Sequence, residues 1–390
     1  MKKSFFVMAL AVMAMAMVSC SSDKGTPETS KTKLWPAQVA NGEKWGYIDA
    51  KGNMTIAPQY DEANLFSCGR AVAWIGDKAT ILDEKGNFLT TPSFDYCNTY
   101  FIHDYLTILM ETSTGYAYGL MDKKGNFTLQ PSFYRIGSMG DNGLAYAMMS
   151  AKDEKYGYID ATGKFVINAM YDGVGVFTDG VAVVRMGDKW GAIDKSGKLC
   201  VNMMYDDLNS MGCDRLAFEQ DGKLGMMDTK GNIIMQAAYA DGSEFGDNGW
   251  TAAVMDGKNA MVMFYDKNGK VQMGGKSFAA AYPFYCGRAF VLLTEETEYY
   301  SVINEKGDVV FNLGKNEEPV YGIYFNGLTL VGGYSEKSGS VYYKYVDVDG
   351  KMVYQWEPKG NYNAPAKVAA KKDGKKFHDY KKMMFENPIK

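Results

Sequence analysis

Phe177-Thr178-Asp179-Gly180-Val181-Ala182-Val183-Val184 is followed closely by Lys189-Trp190-Gly191-Ala192-Ile193-Asp194-Lys195-Ser196-Gly197-Lys198-Leu199-Cys200-Val201. The first stretch runs from an aromatic residue through polar residues and a glycine into an apolar strand, the pattern of a hairpin. The second is an apolar run closed by Asp-x-x-Gly. An aspartate can accept a hydrogen bond from backbone two residues on, and the glycine supplies the positive φ of a short hairpin loop. Ala192 and Ile193, directly before the aspartate, are both apolar, so this strand is expected to be covered on both faces. Gly191 weakens a strand unless something approaches it closely. An aromatic ring or neighbouring backbone is therefore expected over it.

Outward from this stretch, the same turn recurs along the chain. It stands at Asp49–Gly52, Asp83–Gly86, Asp122–Gly125, Asp160–Gly163, Asp194–Gly197, Asp228–Gly231, Asp266–Gly269, Asn304–Gly307 and Asp347–Gly350. Successive glycines lie 34, 39, 38, 34, 34, 38, 38 and 43 residues apart, a near-constant period that marks an internal repeat. The strand glycine recurs as Gly46, Gly119, Gly157, Gly191 and Gly225. The other hairpin recurs at Phe66 to Trp74, Gly140 to Met148, Phe245 to Ala253, Phe284 to Val291 and Tyr324 to Val331. About nine units follow, each read as four short strands in an antiparallel meander.

Lys44-Trp45-Gly46-Tyr47-Ile48-Asp49 and Lys189-Trp190-Gly191-Ala192-Ile193-Asp194 resemble the signature of WG-repeat (KWG-type) bacterial proteins. Lys155-Tyr156-Gly157, Lys223-Leu224-Gly225 and Tyr118-Gly119 are weaker copies. Pro58-Gln59-Tyr60-Asp61, Met170-Tyr171-Asp172 and Met204-Tyr205-Asp206 match its second half. The second, seventh, eighth and ninth copies lack the WG dipeptide and are placed by period and turn alone. The resemblance spans residues 40 to 356. It implies a repeat protein, often exported, and no common activity. A four-stranded unit of this length also resembles a propeller blade. The expected fold is all-β, with tandem four-stranded antiparallel β repeats in a β-propeller-like ring. The alternative is an open superhelical β array, since nine units exceed the usual four to eight blades.

The N-terminus predicts export. Lys2 and Lys3 precede an apolar run, Phe5 to Val18, that is too short to span a bilayer. Met17-Val18-Ser19-Cys20 resembles the lipobox of bacterial lipoproteins, which implies lipid on Cys20. Ser21 after the cysteine resembles lipoproteins sent to the outer membrane, on either its periplasmic or its cell-surface side. The expected organisation is a signal peptide at 1–19, a lipidated polar tether at 20–34, the β-repeat domain at 35–360 and a basic C-terminal tail at 361–390. From Ala366 onward that tail has eight lysines against Asp373, Asp379 and Glu386, whereas the whole chain is at −4. The membrane is then a partner through the lipid, with a protein, peptide or glycan as ligand. The acidic balance calls for no nucleic acid.

Catalytic chemistry has little support in the residues. The histidines are His103, in a degenerate copy, and His378, in the tail. No GxSxG, P-loop or HExxH stretch occurs. A turn role explains the recurring aspartates together, so none is read as a catalytic residue, and no enzyme, cofactor or metal is expected. A carboxylate-dependent hydrolase on a propeller scaffold and a structural envelope scaffold are the rival readings. Asp347-Val348-Asp349-Gly350 begins like a calcium loop but lacks its further ligands. Five cysteines besides Cys20 are too irregularly spaced for a disulfide framework. Cys68, Cys213 and Cys286 share one repeat position, beside Arg70, Arg215 and Arg288. Trp45 and Trp190 are read as core residues rather than as a shelf for sugars, because they precede the most buried strand.

Overall fold

Alternation of apolar residues with glycine turns produces strands wherever the chain is described. The computed structural model describes residues 32–255, 257 and 261–358. The expected signal peptide, Cys20 with most of the tether, and the basic tail lie outside the described residues. Among them the one helical element is a 3-10 turn at Met273–Gly275.

The fifth unit shows the plan. Gly173–Val174, Val181–Met186, Lys189–Asp194 and Leu199–Tyr205 pair in that order, each antiparallel to the last. The third, fourth, eighth and ninth units repeat it as separate four-stranded sheets. Eight hydrogen-bonded sheets carry the nine units. One ten-residue strand, Ile233–Gly242, is the outer strand of the sixth unit and continues as the first strand of the seventh, so both fall in a single six-stranded sheet.

Three units depart from the four-strand expectation. In the second and seventh the outer strand is reduced to isolated bridges, Leu82 to Phe88 and Ala79 to Phe94, and Tyr265 to Val271 and Val262 to Phe278. Among the described residues the first unit has Trp35–Gln38, Trp45–Ile48 and Met54–Tyr60, the counterparts of the second, third and fourth strands. In the fifth unit the carbonyl of Val183 accepts from Gly175, just past the first strand, at 2.7 Å. Pro36 holds the corresponding place here, opposite Tyr47 as Val183 is opposite Ala192. It has no N–H to leave unpaired. Its carbonyl accepts from the Tyr345 hydroxyl at 2.9 Å, and that of Gln38 accepts from Tyr354 at 3.0 Å.

Those two tyrosines belong to the ninth unit, and they close the ring. Trp35 Nε1 donates to the Phe325 carbonyl at 3.0 Å, and Asn41 N donates to the Glu357 carbonyl at 2.9 Å. Trp35, Ala37, Ile48, Leu328, Tyr345 and Trp356 form one buried cluster between the ninth and first units. Similar clusters lie between the other consecutive units, as with Tyr158, Phe177, Ala182 and Val184 between the fourth and fifth. The core is thus a series of sheet-to-sheet interfaces, which is why the second and third strands are apolar on both faces. The structure is the propeller and not the open array.

Tyr100 identifies the inner side. It follows the first strand of the third unit, Tyr96–Cys97, yet packs against the cluster joining the ninth and first units. Units that are not neighbours meet only across the axis, so the first strands line it. Antiparallel order then sorts the connections onto two faces. The turn face carries the Asp-x-x-Gly turns and the tips between first and second strands. The link face carries the other hairpin turns and the links between units. Thr32 enters on the turn face, where its hydroxyl donates to Glu84 at 2.5 Å. Glu357 leaves on the link face, beside Asn41.

Candidate functional site

Residues common to the repeats are used in folding. In each of the nine turns the leading side chain accepts from the backbone N–H groups two and four residues on, as Asp49 does from Lys51 at 2.8 Å and Asn53 at 2.9 Å. Hydrogen bonding to Asn53 holds the Asp49 carboxyl below its ordinary range. The glycine of each turn has positive φ, between 73° and 89°. Asp347 accepts from Asp349 and Lys351 in the same way, which makes that stretch a turn. The strand glycines face neighbouring backbone. A Cβ on Gly46 would lie 2.3 Å from the Ile56 carbonyl, and one on Gly191 2.6 Å from that of Val201. At Gly225 the nearest atom is on the Phe218 ring, at 2.3 Å. Both expected kinds of neighbour occur.

The lysine of the motif has a structural partner that sequence reading missed. Lys44 pairs with Asp61 at 2.5 Å and Lys189 with Asp206 at 2.6 Å; Lys78 pairs with Asp95 and Lys155 with Asp172. Each pair is seventeen residues apart. The aspartate also accepts from a turn of the next unit, as Asp61 does from Gly76 N and Asp172 from Gly187 N, both at 2.8 Å. One carboxylate thus clasps two units on the link face.

The tips on the turn face form a second belt. Asp141 accepts from Gly180 N at 3.2 Å, Asp179 from Asp214 N at 2.8 Å and Asp247 from Cys286 N at 2.6 Å. Cys68 Sγ lies 3.8 Å from the Phe101 carbonyl and Cys286 Sγ 3.9 Å from that of Tyr324, each in the following unit. Arg70, Arg215 and Arg288 donate to the next unit's Asp-x-x-Gly turn, at the carbonyls of Lys123, Lys267 and Val348. The shared Cys-Arg position is a fastening. Burial pushes the free Cys68 thiol up to about 11, which leaves it mostly unreactive near neutral pH. His103 sits in one of these tips at φ 47°, its basicity lowered by burial.

The clasp is not universal, since Ala240, Phe278 and Asn316 stand in the aspartate position of the sixth, seventh and eighth units. Between the third and fourth units, Ala117 stands in the lysine position and Tyr134 in the aspartate position. Tyrosines collect there instead. Tyr118 lies two residues from Tyr116 on the same face of one strand. Leu109 is paired with both Tyr118 and Tyr96, which puts Tyr96 on that face as well. Tyr134 N donates to the Met149 carbonyl at 3.1 Å. Tyr96, Tyr116, Tyr134 and Met149 are 47, 53, 45 and 48% exposed, in contrast to the buried Tyr47 and Tyr158 of the ordinary repeat positions. Beneath them Arg135 Nη1 donates to the Tyr156 hydroxyl at 3.4 Å. The Tyr146 and Tyr156 rings meet edge to face, 5.9 Å apart, and burial pushes the Tyr146 hydroxyl up to about 12. Gly137 makes room for this, since a Cβ there would fall 2.1 Å from the Tyr146 ring. Exposed tyrosine rings and hydroxyls thus gather as a shelf around Tyr118, where the third and fourth units meet. By contrast Trp45, packed edge-on to Trp356, and Trp190, under the Arg185 guanidinium, are half-buried among repeat residues.

The model of the WG-containing repeat matches residues 45–78, 118–152, 156–190, 190–223 and 225–258. The chain is a WG-repeat protein. The matches leave out the turns at Asp83, Asp266, Asn304 and Asp347, and the WG propeller nonetheless folds all four as repeat units. No curated protein matches its sequence. Among solved structures, a eukaryotic initiation factor is similar at 11% identity, with 84% of this chain and 96% of that chain covered and a TM-score of 0.56, a likeness of fold alone. Dihydro-heme d1 dehydrogenase NirN in complex with DHE is similar at 10% identity, 86% and 76% coverage and a TM-score of 0.43. Kluyveromyces lactis Hsv2 is similar at 9% identity, 62% and 94% coverage and a TM-score of 0.38.

Proposed function

We propose that the WG propeller is a binding module of the bacterial cell envelope, held to the outer membrane by lipid on Cys20, and that the tyrosine shelf contacts its ligand. The ligand class is a protein, peptide or glycan. The observation that carries this reading is the exchange at the third junction: a clasp used at four other junctions is replaced by exposed aromatic rings. Large exposed rings on a rigid element are the side chains that binding surfaces favour, because they bury much area at little conformational cost. The reading is of a binder and not an enzyme, since the recurring aspartates are committed to their own turns. Entry of the chain at Thr32 supports a membrane-proximal turn face, with the shelf directed away from the lipid.

The structural-scaffold reading makes a different prediction. Co-sedimentation with purified peptidoglycan and with defined insoluble polysaccharides, and binding to an arrayed peptide library, test the shelf directly. Retention of the native chain, weakened at least tenfold in the Tyr96→Ser, Tyr116→Ser, Tyr134→Ser triple variant, is expected. Equal behaviour of the two proteins on every support favours the scaffold. Attachment has its own check: fatty-acid labelling of cells should disappear in Cys20→Ala, and persistent labelling refutes the lipid.

A further inference from the structure

We infer that Tyr100 of the third unit and Tyr321 of the ninth form a latch across the axis, which holds the ring shut at the seam between the ninth and first units. The latch is independent of the ligand reading above.

The seam needs one. At every other junction the chain itself runs from one unit into the next. The ninth and first units have no such link, and closing them brings together residues as far apart as Trp35 and Phe325, 290 places along the chain. Loop closure of that kind costs entropy, which contacts at the seam must offset. The first unit also has an exposed-looking edge there. Among the described residues no strand pairs with the inner side of Trp35–Gln38, yet all four of its residues are buried. Side chains from elsewhere therefore cover it.

Two inserts supply them. In the fifth unit the N–H that ends the first strand and the N–H that opens the tip, those of Gly175 and Thr178, are three places apart, and the second, seventh and eighth units keep that spacing. In the third unit the corresponding donors are Asn98 and Ile102, four places apart. In the ninth they are Val320 and Phe325, five places apart. Their acceptors, Val183 and Val181, Thr107 and Tyr105, and Leu330 and Leu328, are two places apart in all three units, so the extra residues lie on the inner side. Each insert holds a tyrosine, Tyr100 in one and Tyr321 in the other.

Both rings are half-buried against the seam cluster of Trp35, Ala37, Tyr345 and Trp356. Tyr321 is braced edge to face by Phe325, with centroids 6.1 Å apart. Burial pushes the Tyr100 hydroxyl up, and the Tyr321 phenol adds to the rise. Burial also raises Tyr345, followed by Tyr321, Tyr47 and Tyr100. The phenols thus share one space. Tyr345 belongs to the ninth unit and Tyr47 to the first, whereas Tyr100 arrives from two units further round. Its ring fastens the seam to a part of the propeller that the seam does not otherwise touch.

Hydrogen exchange on the full chain tests the latch, because exchange reports the free energy of local opening. In Tyr100→Ala, exchange in Trp35–Gln38 should rise about tenfold, while Tyr105–Thr112, in the same unit as Tyr100, should change by less than about threefold. Tyr100→Phe keeps the ring and should exchange like the native chain. Tyr100→Ala with Tyr321→Ala should open the seam little more than either change alone, since both remove one contact. Acceleration confined to the third unit, acceleration spread evenly round the ring, or none at all would overturn the latch. So would effects of the two substitutions that multiply in full. Should Tyr100→Ala fail to fold, photo-oxidative coupling of the native chain decides. A dityrosine link from Tyr100 to Tyr321 or Tyr345, located by mass spectrometry, is expected, and links from Tyr100 to neither would refute the contact.

Discussion

Lys44 Nζ lies 2.5 Å from Asp61 Oδ1, and the other oxygen of that carboxylate accepts from Gly76 N in the next unit. The Lys44 contact and then the Gly76 N–H hold the Asp61 carboxyl below its ordinary range. Asp95, Asp172 and Asp206 are lowered in the same way, first by Lys78, Lys155 and Lys189. A group with a lowered folded pKa adds stability above its unfolded value, about 3.9 for aspartate, and loses it as pH falls through the folded value. Asp179, Asp241, Asp247 and Glu318, raised by burial, act in the opposite sense but are fewer. The melting temperature should therefore be nearly flat from pH 8 to 5.5 and fall below about pH 4. Asp61→Asn with Asp172→Asn should make the fall shallower. Thermal melts across that range check this, and an unchanged melting temperature down to pH 3 would refute it.

Gly46 is tight for a different reason. Its φ is ordinary, so a side chain is barred by space and not by backbone conformation. The Cβ of Gly46→Ala would meet the Ile56 carbonyl at 2.3 Å and Pro58 N at 2.8 Å. Forced overpacking of this kind costs about 1–3 kcal/mol. Gly191→Ala should behave alike, whereas Gly257→Ala, with open space around it, should be near neutral. Urea midpoints with unchanged slopes would measure the difference, and equal midpoints for all three would contradict it.

Trp356 is 2% exposed and packs against the rings of Trp45, Tyr343, Tyr345 and Tyr354. Trp356→Ala should cost about 3–5 kcal/mol. The loss should also be local, because this cluster joins the last unit to the first. Hydrogen exchange in Trp35–Gln38 should accelerate more than in Val181–Met186. Uniform acceleration around the ring would show that closure is not a separable element of stability.

Tyr96, Tyr116 and Tyr134 offer the reverse combination. Their rings are half exposed, and substitutions at such sites usually change stability by about 0.5 kcal/mol or less. The triple serine variant should keep its urea midpoint within that range while losing retention on the support that holds the native chain. A large fall in stability would show that the shelf is a packing element. Tyr158→Phe is the contrasting case: it removes a 2.9 Å bond from the hydroxyl of the buried Tyr158 to the Gly175 carbonyl and should cost stability with retention preserved.

What the sequence determined by itself is local. The nine Asp-x-x-Gly turns, the strand glycines and the doubly apolar strands each follow from residues a few places apart, so one copy explains the others. The Lys–Asp clasp was also within reach, because its seventeen-residue spacing recurs, but charge pairs at that distance look like ordinary surface until a sheet brings them together. Tyr134 was legible only once the clasp was known, as its failure. Tertiary structure alone decided ring against open array. Trp35 and Phe325 are 290 residues apart, and nothing in either neighbourhood states that they meet. It also decided how the first unit meets the ninth, since Tyr345 and Tyr354 arrive from more than 300 residues away to take the carbonyls of Pro36 and Gln38. Period and turn chemistry fix the unit; closure depends on small rotations summed over nine units, a quantity that no single copy encodes.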